Sequence, residues 1–408
     1  MTPFHPEPAP ETQSRLWVSG AGSPSLSGRV AVAGIGVTRQ ARRLETTTIE
    51  ACLEAAQAAL ADAGMELGEV DGIAARWPGP GGTVFHPGSA DWAGMLGIPV
   101  RWIGDTYPQG VPAALDAAAA IAAGLCSTVL VVGGQAGVLG GGSVAPYTRP
   151  DNEFVACWGS MTPAQFALVA QVYLHRFRPD RQRLAGVAAE IRNAGSRNPA
   201  AVMAGRGPYT AQDVLDAPPV AEPFTLLDLC LANEGAAAMI LTSAERARDC
   251  PQTPALVVGG GQEWARQQYV DPPRYDDVGR VGEDAARRAF AMAGITPADV
   301  DVVESYDVNT FEVVRQFEVL GFCGEGEGVD FAAETGIGVD GGLPTNTDGG
   351  LLAHSHIGWG APTLKIVEAV RQLRGTAGPG QVPGAEIALV CGAGSGAQYH
   401  NTLILARG

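Results

Sequence analysis

Residues 55–73 read AAQAALADAGMELGEVDGI, and residues 285–303 read AARRAFAMAGITPADVDVV. The two stretches align without a gap: Ala63-Gly64 falls on Ala293-Gly294, and Val70-Asp71 on Val300-Asp301. Each reads as a helix that stops at a glycine, the residue that takes the left-handed position after a helix at no steric cost. A short turn and a strand follow. One supersecondary unit therefore occurs twice in the chain.

The surroundings of each copy also match. An apolar strand precedes each, RVAVAGIGVT at 29–38 and PALVVGGG at 254–261. A further helix and strand follow each: VPAALDAAAAIAAG (111–124) with STVLVVGG (127–134), and APTLKIVEAVRQLRG (361–375) with EIALVCGAG (386–394). Short apolar strands alternating with helices predict buried, mainly parallel sheets. The expectation is an α/β protein of two βαβαβ halves with pseudo-twofold symmetry, each half carrying one of two stacked five-stranded sheets.

Residues 111–124 contain one charge, Asp116, and are mostly alanine. Small residues all round a helix predict burial on every side, and the segment is too short to cross a bilayer. The insertion at about 136–222 holds two amphipathic stretches, MTPAQFALVAQVYLHRF (161–177) and LAGVAAEIRNAGSRNP (184–199), and reads as a cap over a site. Residues 1–27 carry Pro, Ser and Gly without an apolar core, and read as a mobile tail rather than a signal peptide. The expected organisation is that tail, a first half over 28–253 that includes the cap, and a second half over 254–408.

The chain has 408 residues and a formal net charge of −16, with Lys365 as its one lysine. A basic face for nucleic acid is excluded on that balance. No apolar run is long enough to span a membrane. Seven cysteines occur without a CxxC pair, which fits reduced thiols in a cytoplasmic protein.

Four further segments carry a resemblance. They are PFTLLDLCLANEGAAAMILTSAERA (223–247), VDVVESYDVNTFEVVRQFEVLGFC (300–323), NTDGGLLAHSHIGWGAP (346–362) and ALVCGAGSG (388–396). With the duplicated halves and the alanine-rich helix, they resemble the thiolase superfamily over about residues 28–408. The branch they resemble is the sterol-carrier-protein-X and lipid-transfer group, with the bacterial steroid side-chain-cleaving aldolases.

A thiolase needs a nucleophilic cysteine at the head of the buried helix, where backbone N–H groups and the helix dipole lower its pKa. The matching stretch, DTYPQGVPAALD (105–116), has none, and Pro108 or a neighbour stands at the position. Cys126 follows the helix and cannot stand in.

The resemblance places Tyr306 where the family carries a catalytic His, and a phenol can donate or accept a proton. It aligns His356 with the family's Gly-His-Pro histidine, an acid or base near neutral pH. Asp307 is expected to orient Tyr306 or a loop. His354 is read as orienting or lining the pocket. Asn346, Gly349 and Gly350 are expected to shape a turn, with backbone N–H groups near a thioester oxygen. Cys391 matches the family's second cysteine and reads as a small buried apolar residue. His354-x-His356 is also the spacing of a metal pair on a strand, but no third ligand is near, so no metal is expected.

Without the nucleophile, thiolysis is lost and a retro-aldol cleavage remains, which needs one base, one acid and an oxyanion site. The resemblance implies a β-hydroxyacyl-CoA lyase of steroid-degrading type. It implies coenzyme A only as part of the substrate, a homodimer, and a small zinc-ribbon and OB-fold partner that binds acyl-CoA. Two alternatives stand beside it. One is a degradative thiolase with a displaced nucleophile such as Cys391 or Cys157. The other is a non-catalytic acyl-CoA or lipid-binding subunit.

Overall fold

A computed structural model describes residues 26–76, 88–105, 110–137, 162–265, 272–394 and 396–408. The expected tail lies almost wholly outside the described residues, as do Pro108, Cys157 and much of the first part of the cap.

The repeat folds as its sequence dictates. Helix Thr48–Ala63 ends on Gly64 at φ 64°, and helix Glu283–Ala293 ends on Gly294 at φ 71°. Both then make one 3₁₀ turn and enter a strand. The shared aspartate has the same task in each copy. Asp71 accepts from the backbone N–H groups of Ser127 and Thr128, and Asp301 accepts from those of Glu386 and Ile387. Each carboxylate thereby pins the neighbouring parallel strand.

The strands are β1 (Val30–Val37), β2 (Gly72–Arg76), β3 (Trp102–Ile103), β4 (Thr128–Gln135), β5 (Pro219–Ala221), β6 (Phe224–Thr225), β7 (Gly235–Ser243), β8 (Ala255–Trp264), β9 (Val302–Glu304), β10 (Ile387–Gly394) and β11 (Tyr399–Arg407). In the first half the order is β3-β2-β4-β7-β1, with β7 antiparallel to both neighbours and β2 parallel to β3 and β4. The second half repeats it in reverse as β8-β11-β10-β9, with β11 antiparallel to both neighbours and β9 parallel to β10. The two-stranded hairpin β5-β6 belongs to the insertion.

Two details differ from the expectation of separate five-stranded sheets. The fifth strand of the second half is reduced to a single parallel bridge between Val303 and Thr345. The halves are also joined, because β1 and β8 pair through Ala31 with Leu256 and Val32 with Ala255. Each is the open edge of its half, and an unpaired strand edge is satisfied by the next available edge. The described strands therefore form one nine-stranded order.

The layering survives this joining. Helices Val111–Ala122 and Ala361–Arg374 share one apolar core with the facing sides of both halves, including Val129, Leu241, Val390 and Leu403. The alanine-rich helix is thus central, as its composition predicts. On the outer faces the duplicated helices approach their strands closely. A Cβ on Gly36 would lie 2.1 Å from the Ala55 carbonyl oxygen, and one on Gly261 2.0 Å from that of Ala285. The insertion helices Thr162–Phe177 and Arg181–Arg197 join the outer core of the second half through Phe166, Tyr173 and Ile191.

Candidate active site

Tyr306 and His356 come together at the carboxyl end of β9. The Tyr306 Oη lies 3.5 Å from His356 Nε2, and the rings meet edge to face with centroids 6.5 Å apart. Both side chains are partly buried. Burial pushes the His356 imidazole below its ordinary range, against the opposing pull of Asp307, so it is neutral at pH 7.

Each of the two residues is held by its backbone. The Gln316 side chain, on helix Thr310–Val319, accepts from the Tyr306 N–H at 2.9 Å and donates to the Tyr306 carbonyl at 3.0 Å. Asn233, from the first half, does the same for His356. Its Oδ1 accepts the His356 N–H at 2.7 Å, and its own N–H donates to the His356 carbonyl at 3.3 Å. The site is therefore assembled across the junction of the halves.

Asp307 is fully buried and organises the loop that carries both histidines. Its oxygens accept from the Leu351 and Leu352 N–H groups at 2.9 and 3.1 Å. Those residues belong to a π-type turn, Gly350–His354, a rare form that recurs at functional sites. A Cβ on Gly350 would sit 2.1 Å from an Asp307 oxygen, so only glycine fits.

The remaining expected residues form the support of this turn. Asn346 is buried at φ 49°, and its Nδ2 donates to Ser305 Oγ at 3.0 Å. The Gly349 N–H donates to the Asn346 carbonyl, and the Gly350 N–H to Asp348 Oδ1 at 2.7 Å. Both amides are engaged inside the turn that they shape. The buried His354 uses Nδ1 to bind Asp348 Oδ2 at 2.5 Å. Burial raises the Asp348 carboxyl, but His354, Lys365 and the Gly350 N–H outweigh it and hold the group well below the usual range.

No described cysteine is an activated nucleophile. Burial pushes the Cys126 thiol up to about 11 and those of Cys230 and Cys323 up to about 12, and it raises Cys52, Cys250 and Cys391 as well. Cys391 sits in the outer core with Leu389 and Ile404, as a small apolar residue would. Cys230 lies near enough to Asp307 to feel its charge, and the sequence reading does not single it out. Sequence reasoning passes over Gln316, Asn233 and Lys365 in the same way. The signal available for Lys365 is that it is the one lysine in the chain.

A two-layered core around paired central helices and a repeated strand order define a thiolase-fold protein. The chain belongs to the thiolase superfamily. Residues 276–407 match the family described as "Thiolase C-terminal domain-like". The chain is similar to a 17-hydroxy-3-oxo-4-pregnene-20-carboxyl-CoA lyase of Mycobacterium tuberculosis, 34% identical over 91% of this chain and 97% of that protein. A steroid side-chain-cleaving aldolase of Thermomonospora curvata is 32% identical over 86% and 92%. The solved structure of an "Ltp2-ChsH2(DUF35) aldolase" superposes with a TM-score of 0.81 at 29% identity, covering 94% of this chain and 98% of that one.

Proposed function

We propose that this protein is a retro-aldolase that cleaves the α–β carbon bond of a β-hydroxyacyl-CoA of steroid side-chain type. The products are a ketone and a shortened acyl-CoA. The observation that carries the reading is the pairing of Tyr306 with a neutral His356 where no described thiol is activated. The relatives named as a lyase and an aldolase support the same reaction class.

The proton inventory closes on these two side chains. His356 Nε2 takes the proton of the β-hydroxyl, the oxygen becomes the ketone carbonyl, and the Cα–Cβ electron pair moves into the thioester enolate. Tyr306 gives its hydroxyl proton to the α-carbon. The imidazolium then returns a proton to the tyrosinate across the 3.5 Å that separates them. No cofactor takes part in this cycle. A histidine suits the base role because an imidazole is neutral at pH 7 whereas a phenolate is rare.

A partner is part of the proposal, since the similar Ltp2-ChsH2(DUF35) aldolase is named for two components. A small zinc-ribbon and OB-fold protein that binds acyl-CoA fits the second place. A homodimer through the β3 edge is proposed as well, where Ile103 stands 45% exposed. The test is ketone release from a branched β-hydroxyacyl-CoA by the protein co-expressed with a small zinc-ribbon and OB-fold protein as candidate partner. Stoichiometric acyl-CoA binding without any ketone would instead establish the non-catalytic subunit.

A further inference from the structure

We infer that Lys365 is a positioning residue that sets the approach of Tyr306 to His356 by tying together the three segments that carry them. Its activity arm rests on the retro-aldolase reading; its structural arm does not.

Lys365 lies on the central helix Ala361–Arg374, which begins five residues after His356. Its ammonium is 3.0 Å from Asp307 Oδ1 and 3.4 Å from Glu304 Oε2, and the residue is 2% exposed. Glu304 and Asp307 flank Tyr306 on either side at the end of β9. Asp307 in turn holds the Leu351 and Leu352 amides of the turn that leads to His356. One buried cation thus joins the Tyr306 segment, the histidine loop and the central helix at a single carboxylate.

An ammonium is expensive to bury, and apolar side chains of similar volume usually serve stability as well or better. Here the cation stands where two reacting side chains must keep a fixed separation. Burial lowers the ammonium's affinity for its proton, but Asp307, Glu304 and Asp348 outweigh that and keep it charged. Both carboxylates are fully buried, and the ammonium lies closer to Asp307 than to Glu304, 3.0 against 3.4 Å. Gln316 and Asn233 fix the two backbones locally, whereas among the described residues Lys365 links the Asp307 carboxylate to the helix behind the loop.

Lys365→Met alone would leave two buried carboxyl groups without a cation, so the test removes one of them as well. Glu304→Gln keeps the Lys365–Asp307 pair and serves as the control. Glu304→Gln/Lys365→Met and Glu304→Gln/Lys365→Gln remove the cation. Each is co-expressed with the partner and assayed for ketone release, and each is crystallised. The control should fold and keep the Tyr306–His356 separation, and its turnover is the reference for the double variants. The double variants should fold and lose turnover on the order of 100-fold with KM roughly unchanged, the cost of misplacing a reacting group by about 1 Å. Their crystal structures should show the Tyr306–His356 separation changed. An unchanged separation or an unchanged kcat in the folded double variants overturns the inference. Failure of both double variants to fold beside a folded control also overturns it, since Lys365 would then be a stability element. If wild type releases no ketone, the retro-aldolase reading fails, and the crystallographic arm still decides the role of Lys365.

Discussion

Removing one oxygen atom separates chemistry from packing at Tyr306. The Tyr306 Oη to His356 Nε2 distance of 3.5 Å is at the outer limit of a hydrogen bond, so that contact stabilises the resting fold by less than about 1 kcal/mol. The ring packs against the outer core of the second half, and phenylalanine keeps that surface covered. Loss of that contact alone should therefore shift the melting temperature by no more than about 2–4 °C. If the hydroxyl delivers the proton to the α-carbon, turnover should fall by about 10²–10⁴-fold, a barrier increase of roughly 2.7–5.5 kcal/mol. The assay follows ketone release at saturating β-hydroxyacyl-CoA with the partner present. His356→Ala should give a loss of similar size. Near wild-type kcat in both variants on a confirmed substrate refutes the assignment of acid and base.

The pH profile should reflect the buried base. Burial depresses the His356 pKa below 6.5, so protonation removes the base on the acid side, and the acid limb of kcat/KM should be centred below pH 6.5; an acid limb centred above 7 contradicts this. Burial, then Asp348, raise Glu368 to about 7, so its stabilising contribution is complete below the unfolded value near 4.5 and is lost as pH rises through 7. Glu368→Gln should therefore be more stable than wild type in urea at pH 8, by up to about 3 kcal/mol, and this gain should vanish near pH 4.5; a pH-independent difference would dispose of the argument. The protein should not thiolyse 3-ketoacyl-CoA with free CoA, and robust thiolysis blocked by a thiol reagent would show that a nucleophile lies elsewhere, Cys157 included. Light scattering at micromolar concentration should give a twofold dimer, and a monomer alone would remove the β3 edge as an interface.

The duplication is legible because its signals are local. A glycine at each helix end, an aspartate seven residues later and alternating apolar strands need no distant partner to be read, and all reappear at the same places in the fold. The burial of helix 111–122 is likewise written in its alanines. Tyr306 and His356 can be named because they stand in segments that resemble motifs of the thiolase superfamily. The joining of β1 to β8 cannot be read, since it depends on where two edges lie after both halves have packed. Nor can the groups that hold the site: Asn233 is 123 residues from His356, and Lys365 reaches Asp307 and Glu304 only because the central helix runs beneath both segments. Sequence periodicity sets which face of an element is apolar, and that determines the layers. Which buried polar atoms meet is decided by tertiary packing, because hydrogen bonds and ion pairs act over about 3 Å and carry no periodic trace along the chain.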